Sequence, residues 1–157
     1  MRIGIISDSH DNLPKIEAAV DFFKREKVDF VLHAGDFIAP FTIPLFNKLT
    51  CDFLGVFGNN DGEKAGLLQA SGGRIKEGPF RLTLDGRSIL LVHDIKQIEI
   101  QKENSAIIIF GHTHKPEVKK ENSKLLINPG ESCGWLSQRS TVAVLNLTDL
   151  AHSLIEI

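Results

Sequence analysis

A chain of 157 residues, 42% hydrophobic and 24% charged, has the length and balance of one globular domain, here residues 1–157, with a core that needs no disulfide or metal staple. Its 18 Lys+Arg against 20 Asp+Glu leave a net charge of −2, which argues against the basic face of a nucleic-acid scaffold. No apolar run approaches the roughly 20 residues that span a bilayer, Met1-Arg2 opens no signal-peptide pattern, and Cys51 and Cys133 are not spaced as Cys-x-x-Cys, so a cytoplasmic protein without a membrane role is expected.

Residues 2–7 read as a buried strand. Asp11 and Asn12 followed by Pro14 form a helix start. Beyond it Ile16, Ala19, Val20 and Phe23 fall at i, i+3, i+4 and i+7, with Lys15, Glu17, Asp21, Lys24 and Arg25 opposite, which predicts an amphipathic helix to about Glu26. A strand at 29–34, a helix near 41–49 and a strand at 52–57 complete a β-α-β-α-β pattern. A short helix at 63–70 stops at Ser71-Gly72-Gly73. From there the chain turns β-rich. Runs at 80–84 and 87–92 flank Asp85-Gly86, a hairpin signal. Further strands are expected at 106–110, 124–127, 141–147 and 152–157. This is an α/β chain of mixed sheets packed face to face, with helices outside.

Six of the apolar runs end directly in a polar or glycine-containing group: Asp8-Ser9-His10, Gly35-Asp36, Gly58-Asn59-Asn60-Asp61, His93-Asp94, Gly111-His112-Thr113-His114 and Asn128-Pro129-Gly130. Ligands of open α/β sheets bind outside the carboxyl ends of strands, so parallel strands would bring these groups to one edge. The residues at i and i+2, Asp8 with His10 and His112 with His114, share a side in extended backbone. With Asp36, Asn59 and His93 they make two carboxylates, four imidazoles and one amide. Such oxygen and nitrogen donors suit Mn, Fe, Ni or Zn rather than Ca or Mg alone. Seven ligands without a thiolate exceed one structural zinc and fit two metals sharing a carboxylate, the kind of site that hydrolyses phosphate esters. Each residue alone is more ordinary: Asp8 as a cap or turn residue, Gly-Asp and Gly-Asn as turns. The joint spacing carries the reading. His33, inside a strand, and His152, in the last one, are assigned no ligand role.

Two other readings are weighed against it. Gly130-Glu131-Ser132-Cys133-Gly134 spells Gly-x-Ser-x-Gly, and Asp149 and His152 follow in the order of a serine hydrolase. That fold needs a long helix after the serine, whereas a strand begins at Thr141. A non-catalytic interaction scaffold would lack ligands that are all present here.

Asp8-x-His10, Gly35-Asp36, Gly58-Asn59, His93 and Gly111-His112-x-His114 together resemble the motif series of the calcineurin-like metallophosphoesterase superfamily, with steps of 28, 23, 34, 19 and 2 residues between successive anchors from Asp8 to His114. The resemblance spans the chain, whose short length looks like the small YfcE-like phosphodiesterase branch. It implies a four-layer αββα sandwich of two mixed sheets. It also implies two divalent metals, manganese first, with Asp8, His10, Asp36 and His114 around one and Asp36, Asn59, His93 and His112 around the other. Asp36 would bridge, and a hydroxide between the ions would attack a phosphate diester. Phosphomonoester or nucleotide hydrolysis is the alternative within that superfamily. Two positions depart from the pattern. Asn60 stands where many relatives carry a histidine that serves the leaving group, and it cannot act as a general acid near neutral pH. Asn60 and Asp61 are expected beside the substrate, where the lack of an acid favours diesters with good leaving groups. Asp94 follows His93 where glycine is common, which makes His93 the ligand most in question. A small diester is the expected partner, and Trp135 and Leu136 offer a contact for a second copy.

Overall fold

The computed structural model describes Met1 to Ile157. In chain order the elements are β1 (Arg2–Ile6), α1 (Leu13–Arg25), β2 (Phe30–His33), α2 (Ile43–Phe46), β3 (Asp52–Val56), α3 (Lys64–Ala70), β4 (Ile75–Lys76), β5 (Phe80–Leu84), β6 (Arg87–Leu91), β7 (Ile107–Ile109), β8 (Glu117–Glu121), β9 (Lys124–Asn128), β10 (Thr141–Asn146) and β11 (His152–Glu156), with 3-10 turns at Pro40–Thr42, Ile95–Gln97 and Ile100–Lys102. One sheet has six strands in the order β11-β10-β1-β2-β3-β4, and the other five in the order β5-β6-β7-β9-β8. Both are mixed. Strands β1, β2, β3 and β4 run parallel, as do β6, β7 and β9, while the remaining pairings are antiparallel.

Alternation along the strands divides the apolar residues between cores. Ile3 and Ile5 of β1 and Leu32 of β2 pack between the sheets against Ile89, Leu91, Ile107, Ile109 and Ile127. Ile6, Val31 and Phe53 face outward and meet Ile16, Ala19, Val20 and Phe23 of α1, together with Ile43, Phe46 and Leu67 of the other helices. At Gly4 a Cβ would lie 2.7 Å from the Phe23 ring, so the missing side chain lets α1 settle on β1. The outer face of the second sheet carries Leu90, Val92, Ile108, Phe110 and Leu126, covered by Ile95, Ile98 and Ile100. Its fourth layer is therefore two 3-10 turns rather than a full helix.

The strands and first helix lie where the pattern placed them, to within two residues at each end. Asn12 caps α1, accepting from Lys15 N at 3.4 Å. The helix expected near 41–49 is instead a 3-10 turn running into one α turn. Pro44 has no N–H to give the Pro40 carbonyl, which takes Ile43 N–H in the tighter 3-10 pattern. Strands β4 and β8 were not foreseen. The two residues of β4 are too few to show a period. Glu117-Val118-Lys119-Lys120-Glu121 carries a single apolar residue because β8 is an edge strand, where charge discourages pairing with other chains.

Candidate metal centre

Six of the parallel strands, β1, β2, β3, β6, β7 and β9, run out into the polar groups, and the loops then turn sharply. Asp8 (φ 51°), His10 (φ 39°), Asp36 (φ 62°), His112 (φ 66°) and His114 (φ 60°) all adopt left-handed backbone. The extended geometry expected at i and i+2 is thus absent, and tight turns aim these side chains instead. Non-glycine residues pay about 1 kcal/mol or more for that conformation, and such strain persists where surrounding contacts enforce it. Here the contacts include Asp8 N–H to Gly35 O at 3.0 Å, Ser9 N–H to Asp36 O at 3.0 Å and Gly111 N–H to His93 O at 3.0 Å.

The turns bring Asp8, His10, Asp36 and His114 together so that one donor atom from each lies within 4.8 Å of the others. His114 Nε2 is 3.5 Å from Asp8 Oδ1 and His10 Nε2 is 3.4 Å from Asp36 Oδ2. On the other side Asp36 Oδ2 lies 3.5 Å from His93 Nε2. One carboxylate oxygen thus stands between two histidines from different strands. Asn59 Oδ1 is 2.8 Å from both His93 Nε2 and His112 Nδ1. All seven residues singled out from the sequence therefore meet around Asp36.

The donor chemistry fits cations. Asp8 Oδ1 and His10 Nε2 are buried and have no hydrogen-bond partner, an arrangement that costs free energy unless something electropositive sits against them. Burial pushes the Asp8 carboxyl above its usual range, as expected for an anion without a counter-charge. His93 Nδ1 donates to Ala34 O at 2.8 Å, which leaves a bare lone pair on Nε2 facing the lone pairs of Asn59 Oδ1. Two acceptors turned on one another are stabilised by a metal ion.

Neighbouring side chains hold these donor groups in place. Asn60 donates from its backbone N to Asp36 Oδ1 at 2.9 Å and from Nδ2 to Asp36 Oδ2 at 2.8 Å. Asp61 is buried, and its carboxylate accepts from Gly58 N at 2.7 Å, Asp36 N at 3.1 Å and Ile38 N at 2.7 Å. It thus ties the Gly58 and Asp36 turns together from a buried position. Asp94 accepts from Lys96 N and opens a 3-10 turn, which leaves His93 free to point inward.

Residues 1–150 match the calcineurin-like phosphoesterase superfamily domain. The chain belongs to that superfamily. It is 33% identical over 154 residues to a phosphodiesterase of Methanocaldococcus jannaschii, with 93% of each chain covered. It is 28% identical to a probable metallophosphoesterase, YsnB, of Bacillus subtilis, covering 99% of this chain and 95% of the other. A solved archaeal phosphodiesterase superposes over the whole of both chains with a TM-score of 0.92 at 32% identity. YfcE, a phosphoesterase from E. coli, shares the fold at a TM-score of 0.78 and 17% identity, again over the whole of both chains. This phosphoesterase therefore carries the two mixed sheets of its superfamily, and its clustered donors are of the kind that could hold divalent metal.

Glu131 joins the site without a role read from the sequence, and Asn128, one of the six strand-end groups, takes a bracing role. Glu131 is fully buried, and its Oε2 accepts from His114 Nδ1 at 3.1 Å. With Nδ1 carrying the proton, His114 turns Nε2 toward Asp8 and the metal position. Burial alone would raise the Glu131 pKa, but donation from the Cys133 thiol, Ser137 and His114 outweighs it and holds the carboxyl at about 2. Asn128 Nδ2 donates to Gly111 O and Thr113 Oγ1, both at 2.9 Å, and so fixes the loop bearing His112 and His114. The signal for Glu131 was a carboxylate inside the Gly130–Gly134 run, where the Gly-x-Ser-x-Gly spelling drew attention to Ser132 instead. Ser132 is buried and donates to Ser7 O at 3.0 Å, while His152 is exposed on β11, so no serine nucleophile is assembled.

His33 has a structural role, as expected. Its Nδ1 accepts from Gly35 N at 3.1 Å, its Nε2 meets Ser9 Oγ at 3.0 Å, and its ring stacks on Phe37 with centroids 3.6 Å apart. Burial, reinforced by His93 and His10, lowers its pKa well below the usual histidine value. It is a neutral brace beneath the Asp8 and Asp36 loops. No helix is long and apolar enough to cross a membrane.

Proposed function

We propose that this phosphoesterase is a two-metal phosphodiesterase acting on small phosphate diesters, with Asp8, His10, Asp36 and His114 holding one ion and Asp36, Asn59, His93 and His112 the other. The observation that carries the reading is the position of Asp36 Oδ2, 3.4 Å from His10 Nε2 and 3.5 Å from His93 Nε2. When bound, the ions supply positive charge to the phosphoryl oxygens and lower the pKa of the water that attacks phosphorus in line.

The chain's own residues do the rest. The buried Asp8 and Asp36 carboxylates anchor the charge, Glu131 orients His114, and Ala34 O orients His93. Asn60 has no proton to give a departing alkoxide, and its amide is engaged with Asp36. That supports activated diesters over alkyl monoesters. The mixed nitrogen and oxygen donors support manganese, with nickel, zinc or iron as competitors. The two free cysteines agree with a cytoplasmic setting.

The test combines metal titration by calorimetry with a panel of diesters and monoesters assayed with Mn, Ni, Zn, Mg and chelator. Two ions per chain and faster turnover of an aryl diester are expected. Binding of a single ion, or a preference for alkyl monoesters, would overturn the reading.

A further inference from the structure

The segment from Ser132 to Ser140 carries the chain's only tryptophan, and it holds that ring in solvent beside the metal centre. Trp135 is 64% exposed and Leu136 74%. The segment itself is firmly attached. Ser132 N–H donates to Ser7 O, Cys133 N–H to Asp8 O, and the backbone amides of Leu136 and Ser137 to the Glu131 carboxylate. The Trp135 indole donates from Nε1 to His10 O at 3.3 Å, the carbonyl of a metal-ligand candidate. The ring is thus pinned by its polar edge to the residue that faces the metals, while most of its apolar face remains uncovered.

We propose that Trp135 is a stacking platform for the organic group of the substrate, so that the enzyme takes phosphoesters bearing a planar aromatic substituent, an aryl ring or a nucleobase. The proposal rests on the phosphodiesterase reading and names the substrate class of that same site. A pinned indole offers a flat, apolar surface and loses little conformational freedom when another ring stacks on it. The anchor to His10 O places this surface beside the residue whose imidazole Nε2 lies 3.4 Å from Asp36 Oδ2. Asn60 points the same way: with no acid to protonate the leaving oxygen, the site favours esters whose released oxyanion is itself stable, and aryl oxyanions meet that requirement.

The test compares binding of ligand pairs to the metal-loaded protein, with phosphate release monitored in parallel: phenylphosphonate with methylphosphonate, and adenosine 5′-monophosphate with ribose 5-phosphate. The aromatic member of at least one pair should bind roughly tenfold tighter, the size of a single stacked ring, and should quench the fluorescence of the lone tryptophan. The pair showing the larger ratio identifies an aryl ring or a base as the better fit. Trp135→Ala should bring the ratio near one without changing metal content, and Trp135→Phe should restore most of it. A ratio near one in the wild type, or an unchanged ratio in Trp135→Ala, overturns the platform. So does a ratio that survives while Trp135→Ala splits a dimer in sedimentation, since the ring is then a contact between copies. If no ligand of either pair binds and no diester is turned over, the phosphodiesterase reading falls and takes the platform with it. Diester turnover without a ring preference removes the platform alone.

Discussion

Asn60 and Glu131 show how single side chains decide what the centre does. Asn60 binds Asp36 through both its backbone and its amide, so it holds that carboxylate, and an amide is no general acid near neutral pH. Replacing it with an acid should alter leaving-group dependence before anything else. General acids contribute about 10²–10⁴-fold, and Asn60→His should raise the alkyl-monoester rate relative to the aryl-diester rate by at least a measurable part of that. An unchanged ratio in steady-state assays would remove the leaving-group argument. Glu131 acts one bond further out, through His114. Loss of such a partner typically weakens metal binding about 10- to 100-fold. Glu131→Gln should do so in chelator competition while also shifting the ¹⁵N resonances of the His114 ring. A metal affinity equal to wild type would mean that Glu131 serves only the Leu136–Ser137 loop.

Between strand and loop, the decisive positions are the glycines that let one turn rest on another. A Cβ at Gly111 would collide with Ser7 Oγ and lie 2.8 Å from Asp8 Oδ2, and one at Gly58 would run into the Asp36 carboxylate. Gly111 follows β7 and Asp8 follows β1, so this contact joins the two sheets at the site. Gly111→Ala should push Asp8 and His112 apart and lower metal affinity more than thermal stability. Calorimetric metal titration beside a melting curve separates the two effects. A melting temperature that falls while metal binding holds would place the damage in the core instead.

The second sheet is fastened along its edge by an ion pair that ties acid stability to one residue. Arg81 on β5 meets the buried Glu103 carboxylate through its guanidinium, at 2.6 Å for Nη2. That contact, with donors from Ser105, holds the Glu103 pKa at about 2 against an ordinary 4.5. A depressed carboxylate pKa stabilises the fold fully above its ordinary value, and the contribution disappears as pH falls from 4.5 toward 2. Glu131, also held at about 2, acts in the same window. Asp61 works in the opposite sense, since burial raises its pKa and its ionisation disfavours the folded state as pH rises above the ordinary aspartate value. Melting temperatures of the wild type should therefore drop steeply on acidification through that window. Glu103→Gln should melt lower at neutral pH and show a shallower acid decline. Parallel curves for the two proteins would show that the pair contributes nothing to acid stability.

The sequence alone determined the helix α1, most strands and the seven-residue cluster centred on Asp36. Each is encoded locally: apolar spacing of 3.6 for the helix, short β-branched runs for the strands, and a polar group at the end of each run. Because parallel strands present their ends to one edge, local order already predicted convergence. Tertiary structure alone decided the remainder. Strand β8 exists because β9 supplies its hydrogen bonds, and its charged residues carry no apolar signal. Glu131 becomes the partner of His114, and Asp61 the tie between the Gly58 and Asp36 turns, only once the chain has folded back across 17 and 25 residues respectively. The left-handed turns at Asp8, His10, Asp36, His112 and His114 are likewise imposed from outside. These residue types do not favour that backbone strongly enough to choose it, and contacts between neighbouring strand-end loops hold them there.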